Sequence, residues 1–284
     1  MSIPEVIRLT QKLISVNTIN PPGNEAIAAK ICGDLLSGNG FHVDYVGYGE
    51  NRLHLVAWKG LTAGTSPVVL TGHFDTVPLG AVPWTTGPFE GQIRDGKIYG
   101  RGSSDMKGGV AAMVTASIRA FEQGKPLGGV MLLLTAGEET GCQGAKHLTE
   151  NYRFPAKASG IIVGEPTANI PATGHKGGLY LRLTTSGITA HSSMPHLGDN
   201  AIYKAAHAIL KAERFRFYEK KDPLLGLPTL NVGKMEGGIN LNSVPDHAEF
   251  TIDMRTTSRS NHARLLERLK KKLGSGVAIE KLVD

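Results

Sequence analysis

The amino-acid sequence predicts an α/β fold in two parts, and three observations carry that expectation. Over the first half, short apolar runs alternate with helix-forming stretches, as in a sheet covered by helices. Three of those runs end in His or acidic residues: 68–70 leads to His73 and Asp75, 130–135 to Glu138 and Glu139, and 158–163 to Glu165. After Thr173 the order becomes β-α-β-β-α-β, the split βαβ plan of ferredoxin-like domains. A first domain is therefore expected over 1–175 and a second over 176–284.

In chain order, Val6, Leu9, Leu13 and Ile14 recur at helical spacing over 3–15, with Ser2 as a cap and Pro4 in the first turn. Asn20-Pro21-Pro22-Gly23-Asn24 breaks that helix, and another starts over 25–36. Short β-like runs follow at 43–45, 53–58 and 68–70, the last nearly all apolar, as a strand covered on both faces requires. Residues 78–98, rich in Gly and Pro, read as a loop. A helix packed with small and apolar residues is expected over about 106–123, then a buried strand over 130–135, a short helix and a strand over 158–163. The second half gives strands over 180–185, 229–234, 247–255 and 277–282, with helices over 200–215 and 261–273.

His73 and Asp75 stand two residues apart on an extended segment, so their side chains point to the same side. A carboxylate beside a His can orient it and support its basicity as a ligand, although an isolated His more often sits satisfied in a core or on a surface. From its own segment Asp105 reads as a plain helix N-cap; for Glu138-Glu139, which follow a strand, an exposed acidic turn is only the lesser alternative, as are a surface-loop His for His191 and an exposed strand residue for Arg255. Taken as a set, acids at strand carboxyl ends converge on one crevice, where unpaired carboxylates repel one another. A divalent cation resolves that repulsion. One His with three carboxylates suits zinc, with cobalt or manganese as substitutes, and offers too few oxygens for a calcium cage.

Composition excludes other classes. The 284 residues, 40% hydrophobic and 20% charged, are ordinary for a globular protein and sufficient for two domains. No window holds 18 consecutive apolar residues, and the N-terminus lacks a basic region followed by an apolar run, so neither a membrane span nor a signal peptide is expected. Cys32 and Cys142 read as reduced thiols of a cytoplasmic protein. Much of the net charge of +6 sits in two basic stretches, 204–221 and 259–272. No aromatic or base-reading partner is expected beside them, which makes them solvated helix faces and not a nucleic-acid surface.

GHFDTVP, YGRGSSDMKGG, AGEETG and VGEPT, in this order and spacing, resemble the M20 metallopeptidase family. That family includes acetylornithine deacetylase, succinyl-diaminopimelate desuccinylase, aminoacylase and carboxypeptidase G-type enzymes. The likeness extends to AHSS at 190–193 and to GGINLNSVPDHAEFTIDMR at 237–255. It implies a zinc-peptidase-like catalytic domain with a mixed sheet flanked by helices, and a ferredoxin-like lid that also serves dimerisation. It also implies roles: Asp105 bridges two metal ions, His73 and Glu165 complete the first ion's protein ligands, and Glu139 binds the second. Glu138 would be the general base and Asp75 would orient His73. His191, from the small domain of the other subunit, would steady the oxyanion, while Asn240 and Arg255 would hold the substrate carboxylate. A cis peptide between Asp105 and Met106 is a further implication.

The chemistry accords with those roles. Amide hydrolysis at neutral pH needs a nucleophilic hydroxide, and a metal lowers the pKa of bound water from 15.7 to about 7. A carboxylate beside a ligand can take that proton and return it to the leaving amine. The resemblance thus implies a zinc-dependent amidohydrolase of amino-acid biosynthesis that removes an acyl group from an N-acyl amino acid or acts on a short peptide. Acetylornithine deacetylase is favoured over the desuccinylase, carboxypeptidase and aminoacylase alternatives by PATGHKGGLYLRL and PTLNVGKMEGG.

Members of the family resemble one another over a longer chain. There the small domain is an insertion, after which the chain returns with a further strand, helices and a second metal-binding His. This sequence ends at Asp284, where that return would begin. The resemblance therefore implies weak metal binding by Glu139, an exposed sheet edge, and, as an alternative function, a truncated, catalytically weak homologue with a partial metal site.

Overall fold

A computed structural model describes residues 4–124 and 128–284. The chain separates into two compact units, the first ending at Ile170 and the second spanning Pro171–Asp284.

In the first unit, α1 (Glu5–Ile14) and α2 (Ala26–Gly38) precede β1 (His42–Gly49), β2 (Arg52–Lys59) and β3 (Val68–His73). β4 (Gln92–Arg94), β5 (Lys97–Tyr99), α3 (Gly108–Gln123), β6 (Val130–Thr135), α4 (Gln143–Asn151) and β7 (Gly160–Val163) follow. Five strands form one sheet in the order β1-β2-β6-β3-β7. β3 runs parallel to both β6 and β7, while β1–β2 and β2–β6 are antiparallel, so the sheet is mixed. Leu132 and Leu134 of β6 pack with Leu9 and Leu13 of α1 and with Val110, Val114 and Ile118 of α3, which makes helix-on-sheet burial the core of this unit.

Two local expectations change. The stretch 78–98 is not all loop: β4 and β5 form a hairpin whose turn residues, Asp95 and Gly96, both have positive φ (52° and 71°). Asp-Gly in a two-residue turn is the sequence signal for that geometry. α3 starts at Gly108, because Ser103–Lys107 ahead of it is kinked, with non-helical dihedrals at Asp105 and Met106. Among the described residues β7 pairs only with β3, and its Ile161, Ile162 and Val163 are exposed, so it is an open edge of the sheet, as the resemblance implied. The expected Ser2 cap lies outside the described residues.

The second unit consists of β8 (Gly177–Ser186), α5 (Ala201–Glu213), β9 (Thr229–Gly237), β10 (His247–Thr256), α6 (His262–Leu273) and β11 (Ala278–Val283). Its antiparallel sheet has the order β11-β8-β10-β9. Strand alternation places Leu179, Leu181 and Leu183 of β8, and Phe250, Ile252 and Met254 of β10, in one core with alanines of α5 and leucines of α6. Asn200 and Asn261 cap the two helices, accepting the amides of Tyr203 and Arg264 at 3.2 and 2.9 Å. α5 ends at Glu213, so 214–218 is no longer helix and lies against α6. There the Arg268 guanidinium covers the rings of Phe215 and Tyr218 at 5.1 and 4.3 Å. The basic helices therefore do have aromatic neighbours, contrary to the sequence expectation. No helix among the described residues is long and apolar enough to cross a membrane.

An exposed apolar edge strand invites pairing with another chain. Ile162→Lys should lower self-association in light scattering and shift unfolding stability by no more than about 0.5 kcal/mol; unchanged association would show that β7 is not the sticky edge.

Candidate metal centre

The parallel pairing of β3 with β6 sets His73 beside Thr135 and brings both strand ends to one crevice. Past β3, the Phe74 amide donates to the Thr135 carbonyl at 2.9 Å, which carries the alignment on to Asp75. Asp75 is fully buried, and its carboxylate gathers donors from three segments. Asn20 Nδ2 donates to Oδ2 at 2.8 Å, and the amides of Glu138 and Glu139 donate to Oδ1 and Oδ2 at 3.1 and 3.0 Å. His73 Nδ1 stands 2.9 Å from the Asp75 carbonyl oxygen and 3.5 Å from Oδ1. Burial alone would raise the Asp75 pKa, but hydrogen bonds from His73, Asn20 and the Glu138 amide override it and hold the carboxyl down at about 2.

Nδ1 of His73 faces only acceptors, so it carries a proton, and Nε2 is the ring's ligating atom. Around Nε2 stand Asp105 Oδ1 at 3.2 Å, Glu165 Oε1 at 3.7 Å and Glu138 Oε2 at 3.8 Å. One ligand atom each from His73, Asp105 and Glu139 lie within 4.8 Å of one another. An imidazole nitrogen among several carboxylate oxygens is a donor set that fits a divalent cation. These three residues form one candidate group, and Glu165, which the resemblance put with His73 and Asp105, stands half-buried near the same nitrogen.

Asp105 does not cap α3. Its φ of −121° and ψ of 99° are non-helical, the cap position is Lys107, and no side-chain hydrogen bond closes the helix start. Its carboxylate turns instead to His73. The peptide between Asp105 and Met106 is cis, as the resemblance implied. Glu138 and Glu139 are not an exposed turn either, since Asp75 grips both amides and both residues are half-buried.

Crowded carboxylates shift one another. Burial pushes Glu139 up to about 7; His73 opposes that, and Asp105, Glu138 and Asp75 add to it. Burial, Asp105, Glu138 and Asp75 also raise Glu165, again against His73. For His73, burial opposes the charged ring, yet the carboxylates of Asp105 and Asp75 outweigh it and lift the pKa to about 11.

Sequence reasoning missed three participants. Asn20 read only as part of a helix break, although its side chain holds Asp75. Met106 accepts the His73 amide on Sδ at 3.3 Å. The Cys142 thiol donates to Glu138 Oε1 at 3.4 Å, and burial together with Glu138 raises its pKa to about 11. None of these carried a motif signal of its own. The remaining expected residues belong to the second unit. His191 Nδ1 accepts the Ser193 amide at 3.2 Å and stands 2.8 Å from Ser193 Oγ. Asn240 is exposed between the exposed Ile239 and Leu241. Arg255 Nε lies 3.0 Å from Asp253 Oδ1, and its guanidinium lies 5.3 Å from the Tyr180 ring centroid.

The profile described as peptidase family M20/M25/M40 matches residues 69–282, well over half of the chain. The chain belongs to this family. A probable succinyl-diaminopimelate desuccinylase of Staphylococcus epidermidis is 34% identical to this M20 chain, over 90% of it and 69% of the relative. Acetylornithine deacetylase of Vibrio vulnificus is 33% identical over the same shares. An M20 family metallo-carboxypeptidase of Sulfolobus solfataricus superposes with a TM-score of 0.75 at 21% identity, covering 98% of this chain and 78% of that one, which supports the fold.

Two outcomes follow from the electrostatics. A cation must displace protons held by Glu139, Glu165 and His73, so Zn2+ binding should release protons and tighten as pH rises through about 7. Calorimetry in buffers of different ionisation enthalpy reads the release, and an affinity independent of pH would contradict it. The depressed Asp75 pKa gives stability that is present above the ordinary value of 3.8 and lost as pH falls towards about 2. Asp75→Asn turns an acceptor oxygen into a donor among donors, and should lower unfolding stability by about 2–4 kcal/mol in urea titration and weaken cation binding.

Proposed function

We propose that this M20 hydrolase removes the acyl group from an N-acyl amino acid, in the manner of acetylornithine deacetylase. The observation that carries the reading is the single crevice in which Asp75 fixes His73 and the Glu138-Glu139 pair while further carboxylates ring His73 Nε2. Residues 1–175 are read as the catalytic domain. Residues 176–284 are read as a ferredoxin-like lid and dimerisation domain, supported by the β-α-β-β-α-β order and the four-stranded antiparallel sheet.

His73, Asp105, Glu139 and Glu165 would hold one or two Zn2+ ions, with Co2+ or Mn2+ as substitutes. Such an ion supplies Lewis-acid polarisation of the scissile carbonyl and activation of water. Asp75 keeps the His73 proton on Nδ1. Glu138, next to a ligand and not needed as one, takes a proton from the attacking water and delivers it to the leaving amine. His191 accepts a backbone amide on Nδ1, so its neutral ring carries hydrogen on Nε2 and can donate to the oxyanion, supplied from the partner subunit of a homodimer. Asn240 and Arg255 hold the substrate carboxylate, for which the planar fork of Arg255 is suited. Two unpaired thiols and the absence of a spanning helix among the described residues accord with a cytoplasmic enzyme.

Desuccinylase activity, carboxypeptidase or aminoacylase activity on a short peptide or other N-acyl amino acid are the alternatives within the same chemistry. The relative named as a desuccinylase is as similar as the deacetylase. A second reading is a catalytically weak homologue with a partial metal site, in which His73, Asp105 and Glu139 form the candidate group; the chain spans 69% of both relatives.

The test is metal content by elemental analysis beside hydrolysis of N-acetylornithine and N-succinyl-diaminopimelate with added Zn2+. Zinc-dependent turnover is expected. Glu138→Gln should lower kcat by about 10²–10⁴-fold with metal content unchanged. Bound metal without turnover of any acyl substrate would favour the second reading, and full activity in the variant would remove Glu138 from the chemistry.

A further inference from the structure

In the second unit, the segment after α5 and the last turns of α6 line an open cleft of about 440 Å³. Five cations line it: Arg214, Arg216, Arg268, Lys271 and Lys272. No carboxylate lines it, and among the described residues none of the five makes an ion pair with an acidic side chain. The bland explanation is compensation of helix C-termini, since α5 and α6 both end here. Each helix end is equivalent to roughly half a negative charge. Two such ends leave most of the five positive charges unanswered.

Arg268 is held in place. Its guanidinium stacks on Phe215 and Tyr218 and donates to the Arg216 carbonyl. A fixed guanidinium loses less freedom on meeting a phosphate than a mobile one, and its fork matches phosphate oxygens. The two rings supply an apolar wall beside the charges. The cleft's volume falls in the range of small-molecule sites, about 300–1,000 Å³. Each phosphate carries about one to two negative charges at neutral pH, so a triphosphate is the small anion that answers an excess of this size.

We propose that this cleft binds a nucleoside triphosphate, its phosphates on the five cations and its base against the Phe215 and Tyr218 wall. The site is independent of the hydrolase reading, because it uses no residue of the crevice.

Calorimetric titration of the full chain with ATP, inorganic tripolyphosphate and adenosine tests it. ATP should bind with a Kd below about 1 mM, tripolyphosphate more weakly and adenosine not measurably, and the ATP affinity should fall as salt rises. Lys271→Glu with Lys272→Glu should weaken ATP at least about tenfold. The same charge change at the exposed Lys30 and Lys157, which do not line the cleft, should alter it by no more than about twofold. Arg216→Gln, at an exposed side chain, repeats the test should the double variant fold poorly by circular dichroism. Absence of ATP binding, or equal losses in both double variants, would overturn the site. Tripolyphosphate binding as tightly as ATP would overturn the nucleoside assignment, and a thymidine oligonucleotide displacing ATP at far lower concentration would replace it with a nucleic-acid strand.

Discussion

The buried carboxylate of Asp75 is the constraint on which the crevice depends. Removing an ionised carboxylate from water is costly unless hydrogen bonds replace its hydration. Here they come from the residue two before it, from a loop 55 residues earlier and from a turn more than 60 residues later. Because one charge must satisfy all these donors at once, the end of β3, the Asn20 loop and the turn after β6 cannot move separately. The His73 tautomer and the placing of Glu138 and Glu139 follow from that single demand.

Those same contacts explain why the crevice is electrostatically tense. Asp75, Asp105, Glu138, Glu139 and Glu165 crowd one imidazole, and the response without a cation is proton retention: Glu139 and Glu165 rise, and His73 keeps its ring charged. A scaffold held by backbone amides can tolerate such repulsion where mobile side chains would swing apart. The tension is therefore a property of a fixed site, and a divalent cation is the ligand that relieves it.

Much of this was legible in the sequence because the informative features are local. β6 was expected over its full observed range, since an apolar run bounded by Gly leaves little choice. His73, Asp105 and the acidic pairs were visible as residues at the ends of runs. What failed was whatever depends on partners distant along the chain. Asn20 looked like a breaker because its acceptor is 55 residues away. Asp105 looked like a cap because the kink that frees it from the helix start has no simple pattern. The apolar run of β7 reads as a strand, and it lies at an exposed edge of the kind the resemblance implied. The aromatic residues after α5 were overlooked because the helix was extended to Phe215, two residues too far, which hid their fold back onto Arg268.

The choice among acyl substrates is of a different kind. An extra methylene in a pocket is worth only about 1–3 kcal/mol, whereas a charged terminal group demands a placed counter-charge. Acetyl and succinyl groups differ in such a charge, so a cation positioned near the acyl end would separate the two activities far more sharply than pocket size. The groups described around His73 Nε2 are carboxylates, with the Cys142 thiol on Glu138. A succinyl carboxylate brought among these carboxylates would need a placed counter-charge, which an acetyl group does not.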